Sequence, residues 1–308
     1  MRFRIRRVVL RSEDEVMTKW VVFEAGSRAG LSAMMFFRHY KKLVPNDDEL
    51  LMVDDDKIFL ATNNEKYDYV KMICSKALCL EHLGNYTVFP ADELTRQRGH
   101  KSGAQEWFNC VGQEMYDKRF VTAMLESRGV SVPKTLMADE VIVKPNSMSA
   151  GSRGIMNFDC CCVQQRINIA HEYVVDMFVD PDGEIVQLFP REVKLRAGYD
   201  RYIRFLYDNH RVAEFARRVV HSDALGMFRG PCHIQVVEDE SGKLYYIEGS
   251  KRISGTSLVN ILKGYNPFML LTDHVDVISS HDEDWHTYEE LLIKVELMKY
   301  TLPDFLFI

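Results

Sequence analysis

A lysine at the end of an apolar segment could bind phosphate. Lys144 ends the apolar run 141–143, and the loop that follows it, residues 146–154, consists mostly of small residues. Small side chains let backbone N–H groups approach an anion closely, and the lysine adds a positive charge. This pattern predicts a phosphate-binding loop. A hairpin loop beside a surface lysine would have the same composition, so the pattern alone leaves both interpretations open.

A glutamine and a glutamate lie on two neighbouring predicted strands. Residues 233–237 and 244–248 form a predicted hairpin around the turn residues 240–242. In this hairpin Gln235 and Glu248 would offer oxygen atoms side by side. Mg²⁺ prefers oxygen ligands and retains waters, so two or three protein oxygens are sufficient when phosphates supply the others. The pair could therefore bind a divalent cation, whereas Glu248 could also be a solvated acid at a strand end, and the two residues alone leave both interpretations open.

Two other phosphate-binding patterns are missing or incomplete. No G-x-x-x-x-G-K-[ST] segment occurs, which excludes a P-loop. Gly26 and Gly30 follow a predicted strand, but the third glycine of a dinucleotide fingerprint is absent and no suitable acid follows. We therefore predict a tight strand-to-helix turn at residues 26–30.

Composition is that of an ordinary globular protein. The chain has 308 residues, of which 46% are hydrophobic and 27% are charged, with a net charge of −6. Nucleic-acid binding needs a basic surface, so this charge argues against a nucleic-acid partner. No segment approaches the ~20 apolar residues of a membrane helix, and the apolar run within residues 1–11 is too short for a signal peptide. We expect a cytoplasmic protein without a membrane partner.

Cysteine usage agrees with a reducing compartment. The seven cysteines include three in succession, at 160–162, and no C-x-x-C pair. A disulfide framework or a zinc site is therefore not expected. We interpret residues 160–162 as small hydrophobic side chains in a strand rather than as a soft-metal site.

Strands and helices alternate in the first hundred residues. Strands are predicted at 20–24, 50–53, 58–61 and 86–89, with helices through Met34 and Tyr40 and over 67–83. This order predicts a small parallel α/β unit. A polar stretch at 96–103 and a long helix over 105–128, ended by Gly129, lead to the rest of the chain.

Strands and hairpins dominate after Pro133. Strands are predicted at 140–144, 172–179 and 184–189, and the turn residues 180–183 join the last two. A helix is predicted at 212–225, and a helix and a strand at 291–308.

Six short segments follow one another in a specific order and spacing. They are D-K-R-F at 117–120, V-P-K-T at 132–135, Q-Q-R-I at 164–167, P-R-E-V-K-L-R-A-G at 190–198, G-P-C-H-I-Q at 230–235 and Y-I-E-G-S-K-R at 246–252. Together they resemble the carbamoyl-phosphate synthetase-like branch of the ATP-grasp superfamily, over about residues 117–271.

The resemblance implies a mixed α/β (α+β) fold. A small parallel α/β pre-ATP-grasp domain would cover residues 1–113, and a two-lobed ATP-grasp domain with antiparallel sheets would cover 114–308. Within the latter, the nucleotide lobe would span about 130–168 and the catalytic lobe about 169–308.

The resemblance also implies ATP and one or two Mg²⁺ ions as cofactors. The nucleotide would be bound by Lys118, Lys144, Ser149, Gly151, Ser152, Gln165, Ile167 and Glu172. Phosphate or substrate would be contacted by the arginines Arg191, Arg196 and Arg252. The metal ligands would be Gln235, Glu248 and Ser250.

The implied activity is that of an ATP-dependent ligase. The enzyme would activate a carboxylate as an acyl phosphate and join it to an amine or another nucleophile. The resemblance is also compatible with a homodimer. Three departures from the family pattern keep two alternatives open, a non-catalytic ATP sensor and a small-molecule kinase. Ser250 replaces an asparagine, Lys251 replaces a proline, and Gln165 replaces an acid.

Overall fold

The computed structural model describes residues 17–23, 25–26, 28–54, 69–74, 83–89, 105–106, 118–134, 141–145, 161–197, 200–205, 209–223, 226 and 228–272. The predicted strand at 58–61, the loop at 146–154 and the predicted elements at 291–308 lie outside these residues. No helix in the described part is long and apolar enough to cross a membrane.

A five-stranded parallel sheet forms the N-terminal unit. Its strands are β1 (Lys19–Phe23), β2 (Glu49–Asp54), β3 (Val70–Cys74), β4 (Tyr86–Val88) and β5 (Gln105–Glu106), in the order β3-β2-β1-β4-β5. Both β1 and β2 are continuous apolar runs, as expected when a strand is covered on both faces. The helix α1 (Arg28–Leu43) follows the turn at Gly26 and packs on β1 and β2. The predicted parallel α/β unit is confirmed.

Two predicted helices are wrong in part. Val70–Cys74 lies within the helix predicted at 67–83, but it forms β3 and pairs in parallel with β2. A short apolar run suits a buried strand or a buried helix, and periodicity alone does not separate them. Likewise, Gln105–Glu106 lies within the helix predicted at 105–128 but forms β5, whereas Lys118–Ser127 forms the helix α2 as predicted. As predicted, this helix ends before Gly129, whose φ of 77° lies in the left-handed region.

A five-stranded antiparallel sheet forms the centre of the second unit. Its strands are β8 (Ile169–Val179), β9 (Ile185–Ala197), β10 (Asp200–Phe205), β11 (Gly230–Asp239) and β12 (Leu244–Ser250), in the order β10-β9-β8-β11-β12. Alternate side chains cover one face with apolar residues such as Val175, Met177 and Ile234. Helices α2 and α3 (His210–His221) pack on that face. This leaves the opposite face of the same sheet for other contacts.

A small hairpin and a linking segment complete the second unit. The hairpin strands are β6 (Val141–Pro145) and β7 (Cys161–Gln165), which pair antiparallel. The backbone N–H of Gln165 donates to the carbonyl of Lys134 over 2.7 Å, and that of Tyr246 donates to the carbonyl of Ser131 over 2.9 Å. Residues 130–134 therefore connect the hairpin to the large sheet. The domain boundary predicted at 113–114 lies outside the described residues and stays a prediction.

The segment that follows β12 returns to the N-terminal unit. It contains a 3₁₀ helix (Ser257–Lys263) and the short helix α4 (Pro267–Leu271), and both pack on α1. The Phe268 ring stacks on the Phe89 ring with centroids 4.2 Å apart. The side-chain amide of Asn266 donates to the carbonyl of Phe36 over 2.9 Å. One apolar core therefore includes residues from both ends of the described chain.

We predict that Phe268→Ala lowers the free energy of unfolding by about 3–5 kcal/mol, because Phe268 is fully buried and contacts several aromatic rings. Urea denaturation measures this change. The matched control is Phe120→Ala, because Phe120 is 41% exposed and its loss should cost less than about 1 kcal/mol. Equal losses in the two variants would contradict the packing of α4 against the parallel sheet.

Candidate functional site

Polar side chains occupy the face of the large sheet that α2 and α3 leave uncovered. The strand register places His233 opposite Ser250 and Gln235 opposite Glu248. It also places Asp176 opposite His233 on the next strand. Side chains that pair directly across antiparallel strands point to the same face. The predicted adjacency of Gln235 and Glu248 is therefore confirmed, and Ser250 shares their face.

Lys118 and Glu248 meet at this polar face. Lys118 is the first residue of α2, and its Nζ atom lies 3.3 Å from Oε2 of Glu248. The side chains are 18% and 38% exposed, so the ion pair is partly open to solvent. Burial acts to raise the pKa of Glu248, but Lys118, followed by His233 and Arg252, outweighs burial and holds this pKa below its ordinary value. Glu248 is therefore ionised at neutral pH.

The oxygen atoms around Glu248 fit a hard divalent cation. Glu248 supplies a carboxylate and Gln235, directly across the hairpin, supplies an amide oxygen. Ser250 is buried, with 4% of its surface exposed, and supplies a hydroxyl. Within the described part of the chain, no three His, Cys, Asp or Glu side chains cluster as a metal site. The carboxylate, the amide oxygen and the hydroxyl together suit Mg²⁺, which needs few protein oxygens when phosphates supply the others.

His233 is a buried residue of this face that sequence reasoning did not single out. Its Nδ1 atom lies 2.9 Å from the carbonyl oxygen of Arg252 and must carry the proton, because a carbonyl only accepts. Burial, followed by the charge of Arg252, lowers the pKa of His233 to about 4. The ring is therefore neutral at pH 7 and fixes the backbone at Arg252. The signal in the sequence was a histidine within the apolar strand that contains Gln235.

Arg191 lies inside the protein rather than at an open site. Its Nε atom donates to Oδ2 of Asp176 over 2.9 Å, and its Nη2 atom contacts the same oxygen. Nη1 donates to the Thr256 hydroxyl over 2.8 Å, and Nη2 donates to the Ser254 hydroxyl over 2.9 Å. No part of Arg191 is exposed. This placement favours a structural role over the predicted contact with phosphate or substrate.

Asp176 is the second residue that sequence reasoning missed. It is buried, and its Oδ2 atom also accepts from the side-chain amide of Asn260 over 2.8 Å. The signal in the sequence was an acid in the middle of the apolar strand β8. Such an acid is rarely buried unless it is paired.

Four other predicted nucleotide contacts lie on the small hairpin, on the large sheet or in the connection between them. Lys144 is in β6, opposite Cys162 of β7. Gln165 ends β7, and Ile167 lies in the connection to β8, and both are partly buried. Glu172 is partly buried in β8, four residues before Asp176 and on the same face. The nucleotide roles of these residues stay predictions.

The remaining predicted residues are only partly described. The backbone of Arg196 lies in β9, opposite Arg201 of β10. Ser149, Gly151 and Ser152 lie outside the described residues. Arg252 is partly buried, and its Nη1 atom donates to the carbonyl of Ile253 over 3.0 Å. The charge of Arg252 acts on Glu248.

Solved structures share this architecture, although no protein-family profile and no curated protein sequence matches the chain. A biotin carboxylase–β-γ-ATP complex from Campylobacter jejuni is similar with a TM-score of 0.61 and 13% identity, over 91% of this chain and 73% of that one. An ATP-grasp superfamily protein from Archaeoglobus fulgidus is similar with a TM-score of 0.57 and 15% identity, over 83% of this chain and 88% of that one.

A larger enzyme contains the same arrangement as one part. Rhizobium etli pyruvate carboxylase is similar with a TM-score of 0.59 and 13% identity, over 86% of this chain. The similar region spans only 30% of that enzyme's length. The chain described here has the ATP-grasp fold, as its motifs predicted, and the branch within that superfamily stays a prediction. Identities this low establish the fold alone.

We predict that Asp176→Leu and Arg191→Met each lower the free energy of unfolding by about 3–5 kcal/mol, because each leaves one buried charge without its counter-ion. The Asp176→Leu/Arg191→Met double variant removes both charges and should lose less than either single variant. Urea denaturation of the three variants measures the coupling. A double variant whose loss equals the sum of the two single losses would contradict the buried pair.

A second prediction concerns pH. Folded His233 has a pKa of about 4 against 6.5 for an ordinary histidine, so between these values the unfolded chain binds a proton that the folded chain does not. Stability contributed by neutral His233 is therefore complete above pH 6.5 and is lost as the pH falls towards 4. The free energy of unfolding should fall by roughly 3 kcal/mol over this pH range, and the His233→Asn variant should not show this pH-dependent fall. Urea denaturation of both proteins at several pH values measures it, and parallel curves would contradict the assignment.

Proposed function

We propose, from the ATP-grasp fold and the polar face around Glu248, that this chain is an ATP- and Mg²⁺-dependent ligase. It activates a carboxylate as an acyl phosphate, joins it to an amine or another nucleophile, and releases ADP and phosphate. The observation that carries the proposal is the meeting of Lys118 with Glu248, beside Gln235, on the exposed part of the sheet face. These residues come from two distant segments of the chain. Lys118 was predicted to bind the nucleotide, and Glu248 and Gln235 were predicted to bind the metal ion.

The divalent cation would be held by Glu248 and Gln235, with Ser250 as a weaker ligand. Glu248 carries the only formal negative charge of the three. A serine hydroxyl is a shorter and weaker ligand than an asparagine carbonyl, and the adjacent Lys251 opposes a second cation. The site would therefore hold one Mg²⁺ tightly. When bound, this ion neutralises charge on the phosphates of ATP.

The chain's own residues would position the nucleotide and the transferred phosphoryl group. Lys118 and Lys144 would bind phosphate oxygens, and Glu172 would bind the ribose. Arg252, which is fixed at its backbone by His233, would face the transferred group. Phosphoryl transfer depends mainly on positioning and on electrostatic stabilisation of the charge that develops on the phosphoryl oxygens. The biotin carboxylase–β-γ-ATP complex, which shares the fold, supports the nucleotide part of the proposal.

A non-catalytic ATP sensor is the second candidate. The placement of Arg191 favours it, because this predicted catalytic arginine is bound inside the protein by Asp176. The burial of Ser250 and Lys251 points the same way, since both depart from the family pattern at the metal site. In a sensor, ATP would change the interaction with another molecule without being consumed.

Acceptor-dependent release of ADP separates an enzyme from a sensor. The purified chain would be incubated with Mg·ATP and a panel of carboxylates and amines. The ligase proposal expects ADP release that needs a carboxylate and yields a hydroxamate when hydroxylamine is added. A kinase would release ADP without hydroxamate formation, whereas ATP binding with no release for any acceptor would support the sensor.

We predict that Glu248→Gln nearly abolishes turnover, because it removes the only anionic ligand of the metal. Ser250→Ala should lower turnover about tenfold or less, and Ser250→Asn should retain or improve metal affinity. ADP release and Mg²⁺ titrations measure both effects. Unchanged turnover in Glu248→Gln would show that the metal site has been placed on the wrong residue.

A further inference from the structure

The Lys118–Glu248 ion pair joins two residues that the proposed function assigns to different ligands. Lys118 would bind an ATP phosphate, and Glu248 would bind the divalent cation. In the structure their charged atoms lie 3.3 Å apart and satisfy each other. Within the described part of the chain, Lys118 is the only cation in ion-pair contact with Glu248.

While the ion pair is intact, ATP cannot bind to Lys118 and the divalent cation cannot bind to Glu248. A phosphate oxygen on Lys118 must displace the Glu248 carboxylate, and a metal ion on Glu248 must displace the Lys118 ammonium. Because both side chains are partly exposed, the pair can open without unfolding its surroundings. The same opening therefore serves both ligands.

We propose that this ion pair makes nucleotide and divalent cation bind cooperatively, a form of regulation that rests on the proposed function of the site. ATP alone would leave the Glu248 carboxylate facing the phosphates, which repel it. The cation alone would leave the Lys118 ammonium beside a second positive charge. Only when both bind is each charge matched, so each ligand raises the affinity for the other by the same factor.

Nearby charges strengthen this coupling instead of replacing the pair. The charge of Arg252 also acts on Glu248 without an ion-pair contact, so a lone divalent cation at the carboxylate is opposed by Lys118 and, from farther away, by Arg252. His233 is hydrogen-bonded to the Arg252 carbonyl and contributes no charge at pH 7. A nucleotide that engages Lys118 therefore removes the strongest competitor of the metal ion.

Single-ligand titrations of two variants test the proposal. Mn²⁺ binding without nucleotide is measured by electron paramagnetic resonance, and ATP binding without metal is measured by calorimetry in EDTA. Lys118→Met should bind Mn²⁺ at least about fivefold more tightly than the wild type while binding ATP more weakly. Glu248→Gln should bind metal-free ATP at least about fivefold more tightly while losing the additional affinity that Mg²⁺ gives.

Arg119→Met is the matched control, because it removes the same charge from the adjacent, exposed residue of α2. It should change neither affinity more than about twofold. Lys118→Gln and thermal melting of each variant separate loss of the pair from loss of the fold. Unchanged Mn²⁺ affinity in Lys118→Met together with unchanged metal-free ATP affinity in Glu248→Gln would overturn the coupling alone. A wild type that binds no ATP with or without Mg²⁺ would instead overturn the proposed function.

Discussion

The buried Arg191–Asp176 ion pair is the constraint on which the polar face depends. Two charges removed from water must satisfy each other, and here they also bind Ser254, Thr256 and Asn260. This cluster ties β8 and β9 to the segment that follows β12. That segment continues into α4 and so into the core around α1. This polar cluster thus links the large sheet to the segment that packs in the core of the N-terminal unit.

Solvent access divides the charges of this face into two groups. Asp176 and Arg191 are almost wholly buried, and their pair is closed to solvent. Lys118 and Glu248 form a partly exposed pair, which a phosphate and a cation can separate. Desolvation makes the first pair costly to break, whereas solvent screening makes the second pair cheap to open. The buried Asp176–Arg191 pair therefore holds the structure together, whereas the partly exposed Lys118–Glu248 pair can exchange with ligands.

The sequence predicted much of the fold, and it placed Gln235 and Glu248 on neighbouring strands. The turn at 240–242 sets the register of its hairpin as far as Val236 opposite Tyr246, and that register alone would put Ile247 opposite Gln235. A bulge brings Glu248 opposite Gln235 instead, and the sequence pattern does not predict this bulge. The burial of Arg191 could not be predicted, because it depends on Asp176 and on residues far along the chain. The strand β3 was predicted as a helix, since only its pairing with β2 identifies it. The burial of Arg191 and the strand structure of β3 both depend on contacts between distant parts of the chain, which a local sequence pattern does not contain.

A crystal structure with Mn²⁺ and a non-hydrolysable ATP analogue tests the central claim most directly. Anomalous scattering locates the Mn²⁺ ion without ambiguity. Our account predicts this ion within about 2.0–2.2 Å of a Glu248 carboxylate oxygen, with Lys118 moved from Glu248 to a phosphate and Arg191 still bound to Asp176. A metal ion held without Glu248, or a nucleotide bound away from the polar face of the large sheet, would contradict it.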